Sequence, residues 1–135
     1  PPRHRERLLS LTLNGADFFP SGVKPSVQAP IVLGYGAARA AALFSRDAVP
    51  KMELLRLMVK EPRIPAKRLE QLSMPVLVIA GTKDMIRDSH TRKIQRHIPG
   101  SVLCVMEGDH FIAAKKSESF NRTVDRFLKN GRPSL

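Results

Sequence analysis

Two side chains that could do acid–base chemistry, Asp84 and His110, each follow an apolar run of strand length. Asp84 comes shortly after the unbroken apolar run 76–80, and His110 comes shortly after a second run, 102–106. A polar segment rich in helix formers, 88–98, connects them. Such a strand–helix–strand crossover is right-handed and brings both strand ends to one edge of a parallel sheet, where open sheets bind ligands. We therefore expect Asp84 and His110 to meet at that edge.

A carboxylate beside an imidazole can form the acid and base of a hydrolytic triad. The carboxylate fixes the tautomer of the imidazole and stabilises its cation, while the imidazole moves the proton of a nucleophile. Taken alone, Asp84 could equally close the turn after its strand, as aspartate often does. A histidine after the next strand favours the functional interpretation.

The motifs 81–84 (Gly-Thr-Lys-Asp) and 108–111 (Gly-Asp-His-Phe), with a helix behind the second, resemble the C-terminal part of an α/β-hydrolase. The order, acid before histidine, is also that of the family. The resemblance covers nearly the whole chain and implies that Asp84 is the triad acid and His110 the triad base. It implies an α/β fold, a partial α/β-hydrolase fold, with three parallel strands, flanking helices and a helical lid between the first two strands.

The serine nucleophile expected from this resemblance is missing from the sequence. The family carries it on a Gly-x-Ser-x-Gly elbow, and no such pattern occurs here. Residues 1–7 resemble the segment just after the elbow helix, so the chain corresponds to a C-terminal half, truncated before the lid. We expect it to be inactive alone and, when completed by an N-terminal half, to act on a small-molecule substrate with an ester-like acyl group.

The remaining pattern fits one domain over 1–135. The alternating stretch 8–13, which begins with Leu8 and ends with Leu13, predicts the first strand, and 75–80 predicts the second. The lid region, about 17–72, lies between them. Helices are predicted over 30–44, with Pro30 in the first turn, over 50–60, and briefly after Pro65.

A final helix is predicted from Ser117 onward. Its apolar residues recur at i, i+4, i+7 and i+8, which is typical of a helix with one buried face. These residues are Phe120, Val124, Phe127 and Leu128.

A second interpretation is a non-catalytic binding module on a hydrolase-derived fold. If the neighbour of the strand 8–13 is absent, that strand has an unpaired edge, and such edges recruit other chains. This interpretation predicts an oligomer or a partner bound along 8–13.

The net charge of +11 suggests a third interpretation, a basic nucleic-acid binder. Against it, the basic residues are scattered, no aromatic residues alternate with them, and no nucleic-acid motif is present. We expect a solvated basic surface and consider nucleic acid an unlikely partner.

Other motifs suggest no cofactor, metal or membrane role. His90 and His97 share a helical face but have no third ligand nearby, so we expect them to be solvated rather than to bind a metal. Cys104, the only cysteine, is predicted to be a small buried hydrophobe. The segment 34–36 (Gly-Tyr-Gly) lacks the preceding strand of a dinucleotide loop. No apolar run approaches a membrane span, and we expect a cytoplasmic protein.

Overall fold

The computed structural model describes residues 7–130, whose strands form one parallel sheet in the order β1-β2-β3. β1 is Leu11–Asn14, β2 is Val76–Gly81 and β3 is Val102–Met106. β2 is the central strand, and every residue in it is buried, as expected for a strand covered on both faces. The α/β architecture predicted from the sequence is confirmed. Residues 1–6, part of the segment 1–7 that resembles the chain just after the elbow helix, lie outside the described residues.

The described residues also contain six α-helices and two short 3-10 helices. The 3-10 helices are Pro20–Gly22 and Arg46–Ala48, and the α-helices are α1 (Pro25–Ala41), α2 (Val49–Lys60), α3 (Ala66–Leu69), α4 (Asp88–His97), α5 (Ile112–Lys115) and α6 (Ser117–Asn130). None of the helices within this part of the chain is both long and apolar enough to span a membrane.

The first strand begins later than the sequence predicted. Pairing starts at Leu11, whose N–H donates to the carbonyl oxygen of Pro75 at 3.0 Å. Leu8 and Leu9 precede the pairing and are 40% and 78% exposed. The predicted start at Leu8 is therefore wrong. By the observed register, residues 8–10 lie opposite 73–75, which precede β2 and include Pro75, a residue without an N–H to donate.

Helix α6 packs its apolar side on one face of the sheet. Phe127 forms a buried cluster with Leu77, Ile79 and Ile112. Phe120 and Val124 pack against the same cluster, as their spacing predicted. Leu128 is half exposed and lies at the margin of this apolar side.

The opposite face of the sheet is also covered. Val76 and Val78 alternate with Leu77 along β2 and are buried. Helix α4 lies against β2 and β3, with Ile94 fully buried. Both faces of the central strand are thus packed, which fixes the positions of the strand ends.

Residues 17–64 form a second compact unit, distinct from the one that contains the sheet and α3 to α6. Its ends are joined because the N–H of Ile64 donates to the carbonyl oxygen of Phe18 at 2.9 Å. Inside it α1 packs on α2, and a Cβ on Gly34 would lie 3.7 Å from Leu55. The segment 34–36 is helical rather than a loop.

Helix α1 begins at Pro25 rather than at Pro30. Pro25 takes the first-turn position that the sequence analysis assigned to Pro30, and Pro30 lies inside the helix. Proline suits a first turn because its missing N–H would have no partner there. Pro25 and Pro30 were both candidates for the first turn of α1, and the prediction that the helix begins at Pro30 is wrong.

Candidate active site

Strand register brings the segments after β2 and β3 to one rim of the sheet. Ile79 lies opposite Cys104, and Gly81 lies opposite Met106, in parallel pairing. Asp84 and His110 both follow these aligned strand ends within a few residues. The sequence predicted that they meet, and the structure brings them together.

The carboxylate of Asp84 is buried and held by backbone donors. Asp84 is only 3% exposed. The N–H of Gly81 donates to Oδ2 at 3.3 Å, and the N–H of Ile86 donates to Oδ1 at 3.0 Å. These two bonds hold both oxygens of the carboxylate in place. The N–H of Asp84 itself donates to the carbonyl oxygen of Gly81 at 3.1 Å, so this residue closes the turn and also presents its carboxylate.

His110 binds that carboxylate directly. Its Nδ1 lies 2.9 Å from Oδ1 of Asp84. Because an ionised carboxylate only accepts hydrogen bonds, the neutral imidazole carries its proton on Nδ1 and leaves Nε2 as the basic nitrogen. The His110 side chain is 30% exposed. The pair can therefore orient and stabilise an imidazole that takes up a proton at Nε2.

The two loops that carry the pair are bonded to each other. The N–H of Thr82 donates to Met106 O, and that of Lys83 donates to Gly108 O, both at 2.8 Å. The N–H of Gly108 donates to Oγ1 of Thr82 at 3.3 Å. These bonds fix the spacing between the segments 81–84 and 108–111 that the sequence singled out.

Gly81 is required by this close approach. A Cβ at this position would overlap the carbonyl oxygens of Gly108 and Asp109. Any side chain at residue 81 would push the histidine loop away from Asp84. The first glycine of the motif 81–84 therefore allows the loop that carries His110 to lie close to Asp84.

Asp109 belongs to the loop and does not orient His110. Its Oδ1 accepts the N–H of Phe111 at 2.9 Å, and its Oδ2 forms an ion pair with Lys115. The hydrogen bond from Lys115, followed by the one from Phe111, lowers the pKa of Asp109 below its usual value. Asp109 thus stays charged and fastens the loop next to His110 to α5.

Gly15 also reaches the pair, although the sequence analysis assigned it no role. It follows β1, has φ +53°, and donates its N–H to Ile79 O at 2.9 Å. A Cβ there would lie 2.6 Å from Nδ1 of His110 and 3.2 Å from Oδ2 of Asp84. The one available signal was the position of the Asn-Gly pair, directly after the first strand.

Two other histidines were expected to be solvated, and the structure corrects this for one of them. His90 on α4 is buried, at 9% exposure, and burial followed by Lys93 and Arg87 lowers its pKa. His90 shares the buried side of α4 with Thr91 and Ile94. His97 is half-buried, and its Nδ1 lies 2.8 Å from Lys93 O. Within residues 7–130 no group of three potential metal ligands occurs.

Cys104 is less buried than expected. It is partly exposed and contacts the α6 side of the sheet. It also borders a cavity of about 360 Å³ between β3 and α6. The reason is that β3 is the last strand of the sheet, so its side chains are covered from fewer directions than those of β2.

Three solved structures with a similar fold are longer than this chain. An enol-lactonase from Burkholderia xenovorans LB400 is 17% identical with a TM-score of 0.61; the match covers 95% of this chain and 59% of the lactonase. The meta-cleavage product hydrolase CumD from Pseudomonas fluorescens IP01 is 20% identical with a TM-score of 0.63, over 96% of this chain and 59% of CumD. A thermophilic esterase is 25% identical with a TM-score of 0.62, over 94% of this chain and 58% of the esterase.

The chain has part of the α/β-hydrolase fold. It spans slightly under 60% of the length of these three structures. No protein-family model matches the sequence, and no curated protein matches it. The likeness therefore concerns the α/β-hydrolase fold.

Proposed function

We propose that the chain supplies the acid and the base of a Ser-Asp-His triad that hydrolyses an ester-like substrate. The observation that carries this proposal is the bond between Nδ1 of His110 and the buried, backbone-held carboxylate of Asp84. The hydrolase-fold neighbours include an enol-lactonase and an esterase, which supports carboxylic esters as the substrate class. The serine comes from a segment outside this sequence.

The geometry supports the following part for each residue in the proposed reaction. Nε2 of His110 takes the proton of the serine hydroxyl as the oxygen attacks the ester carbonyl, and Asp84 stabilises the resulting imidazolium. His110 then donates this proton to the departing alcohol. In the second half of the reaction His110 removes a proton from water, which attacks the acyl-enzyme and releases the acid.

The helical unit 17–64 is proposed to be the lid of the complete hydrolase. Its helices α1 and α2 are rich in small and apolar residues, which favours an apolar acyl group of modest size. α3 groups with the sheet unit, so the proposed lid excludes residues 65–72.

The test is turnover of p-nitrophenyl acetate and butyrate by the chain alone and by the chain mixed with an elbow-bearing N-terminal segment of an α/β-hydrolase. We expect turnover only in the mixture. Asp84→Asn should lower kcat by on the order of 10⁴-fold, because the amide favours the wrong tautomer. His110→Ala should lower it at least as much. His97→Ala serves as the matched control and should retain activity.

Two outcomes would contradict the proposal. Turnover by the chain alone that disappears in His110→Ala would show that a nucleophile is present in this sequence. Turnover by the mixture that survives His110→Ala would show that the pair is not the acid–base machinery.

We propose as the second candidate a module that self-associates through the outer edge of β1. In a parallel sheet, the backbone N–H and C=O groups of successive residues point towards opposite sides of the strand. Leu11 and Gly15 donate to β2, so the backbone groups of Thr12 and Asn14 point away from it. In addition, Oδ1 of Asn14 is buried and has no hydrogen-bond partner among the described residues. An added strand would satisfy the backbone groups of this edge.

Sedimentation of the wild type and of Thr12→Pro tests this candidate. Because the N–H of Thr12 points outward, proline there removes no hydrogen bond of the β1–β2 ladder, so it should weaken self-association while that ladder persists. Thr12→Val keeps the N–H and is the matched control. A wild-type chain that remains monomeric at high concentration would rule the candidate out.

A further inference from the structure

We propose that Gly15 is a positioning residue that holds the His110 imidazole against Asp84. The inference rests on the proposed function, because it assigns a part in the same acid–base pair to a third strand end. Asp84 follows β2 and His110 follows β3, whereas Gly15 is the first residue after β1. All three strand ends of the described sheet therefore converge on one hydrogen bond.

The contact is set by backbone and not by a flexible side chain. The N–H of Gly15 donates to Ile79 O at 2.9 Å, which extends the β1–β2 ladder one residue beyond β1. Ile79 is fully buried in the central strand. Gly15 is therefore anchored to the buried central strand and cannot move aside without breaking this hydrogen bond.

The position of Gly15 is specific to the atoms that make the bond. A Cβ on Gly15 would lie 2.6 Å from Nδ1 and 2.7 Å from Cε1 of His110, and 3.2 Å from Oδ2 of Asp84. Nδ1 is the nitrogen that bonds Asp84. The Cα of Gly15 thus closes one side of the Nδ1–Oδ1 bond, and a methyl group there would drive the ring off the carboxylate.

A matched control separates this contact from backbone strain. Gly100 has φ +68°, close to the +53° of Gly15, but a Cβ on Gly100 meets nothing within 4 Å. Gly15→Ala and Gly100→Ala therefore share the cost of a left-handed alanine. Only Gly15→Ala adds the collision with His110.

The first measurement is the ¹⁵N signature of the His110 ring in the purified chain. We expect the wild type and Gly100→Ala to hold the Nδ1–H tautomer. In Gly15→Ala, the Nδ1–H signal should be lost or the population should shift to Nε2–H, because the ring no longer bonds Asp84. A Gly15→Ala spectrum identical to that of the wild type would overturn the proposal.

The second measurement is a double-mutant cycle of urea unfolding. It remains informative if Gly15→Ala destabilises the chain, because the unfolding midpoint is itself the quantity compared. Gly15→Ala should lower the unfolding midpoint more than Gly100→Ala does. In the His110→Ala background this excess should largely vanish, because the imidazole that collides is gone. An excess that persists without the imidazole would refute the role assigned to Gly15.

Neither measurement requires turnover. If no elbow-bearing segment restores activity, the proposed function fails, while the spectra and the cycle still decide whether Gly15 positions His110. If activity is restored but both measurements are negative, only the role of Gly15 is lost.

Discussion

The carboxylate of Asp84 accepts three hydrogen bonds that come from different parts of the chain. They come from the N–H of Gly81 in β2, the N–H of Ile86 in the following loop and the imidazole of His110. A buried acceptor with this many donors is costly to remove, since each donor left behind loses its partner. The residue therefore contributes to the stability of the rim as well as to the chemistry proposed for it.

Replacing this carboxylate should destabilise the fold. We expect Asp84→Asn to lower the free energy of unfolding by roughly 1–3 kcal/mol, because one amide group cannot accept all three bonds. Asp88→Asn is the control, since its carboxylate forms an exposed pair with Arg92, which contributes at most about 1 kcal/mol. Urea unfolding measures the free energy of unfolding of both variants. Equal losses would contradict the claim that the three hydrogen bonds of Asp84 stabilise the fold.

His90 should make stability depend on pH in a defined direction. Burial, Lys93 and Arg87 lower its pKa in the folded chain below the ordinary value of 6.5. The unfolded chain then binds the proton more readily, so the contribution of His90 to stability is complete above pH 6.5 and declines as the pH falls towards the folded pKa.

His90→Gln should therefore show a weaker loss of stability on acidification below pH 6.5 than the wild type. Thermal unfolding measured at several pH values below 6.5 gives the change of stability with pH for each variant. His97→Gln, on the same helix, is the control. If the pH dependence of stability is unchanged in His90→Gln and reduced in His97→Gln, then His97 and not His90 causes the loss of stability, which would contradict this prediction.

At the scale of elements, α6 holds the sheet from one side through a single apolar stripe. Phe127 is 8% exposed and belongs to the core cluster, whereas its neighbour Leu128 is 51% exposed. The outer surface of α6 carries ion pairs at i, i+4 spacing, Glu118 with Arg122 and Asp125 with Lys129. Such exposed pairs add only a few tenths of a kcal/mol each, so packing dominates.

Two adjacent alanine substitutions in α6 test this claim. Phe127→Ala should cost about 3–5 kcal/mol, because it removes a buried ring beneath β2. Leu128→Ala should cost less than about 1 kcal/mol, since half of its surface already faces solvent. The comparison needs only urea denaturation with circular dichroism. Similar costs for both would mean that α6 is not docked as described.

At the scale of the whole molecule, the dominant property is the net charge of +11. Part of the acidic complement is already engaged, since Glu53, Asp88, Asp109, Glu118 and Asp125 form ion pairs with basic neighbours. The remaining positive charge attracts polyanions without reading their sequence. This property predicts non-specific binding of polyanions at low salt.

Binding of a fluorescent DNA duplex should therefore be detectable only at low salt. We expect it to disappear near physiological salt, about 0.15 M, because released counterions drive such binding. Anisotropy titrations with two unrelated duplexes measure both the salt dependence and the sequence preference. Affinity that persists at about 0.15 M salt, or that favours one duplex, would support the nucleic-acid interpretation instead.

The sequence by itself determined the strands, most of the helices and the meeting of Asp84 with His110. These features are local: an unbroken apolar run specifies β2, and the handedness of one crossover brings the two strand ends together. The spacing of Phe120, Val124 and Phe127 likewise specified the buried side of α6. Each of these inferences needed only residues near one another in the chain.

The tertiary structure decided everything that depends on a neighbour distant in sequence. It set the start of β1 at Leu11, because pairing requires residues of β2 opposite it. It buried His90 on α4, a helix that packs on α3, β2 and β3. It also placed Gly15 against His110, a contact between residues 95 positions apart that no local pattern encodes. Such contacts are set by packing between segments that are distant in sequence, and the periodicity of the sequence predicts only local structure.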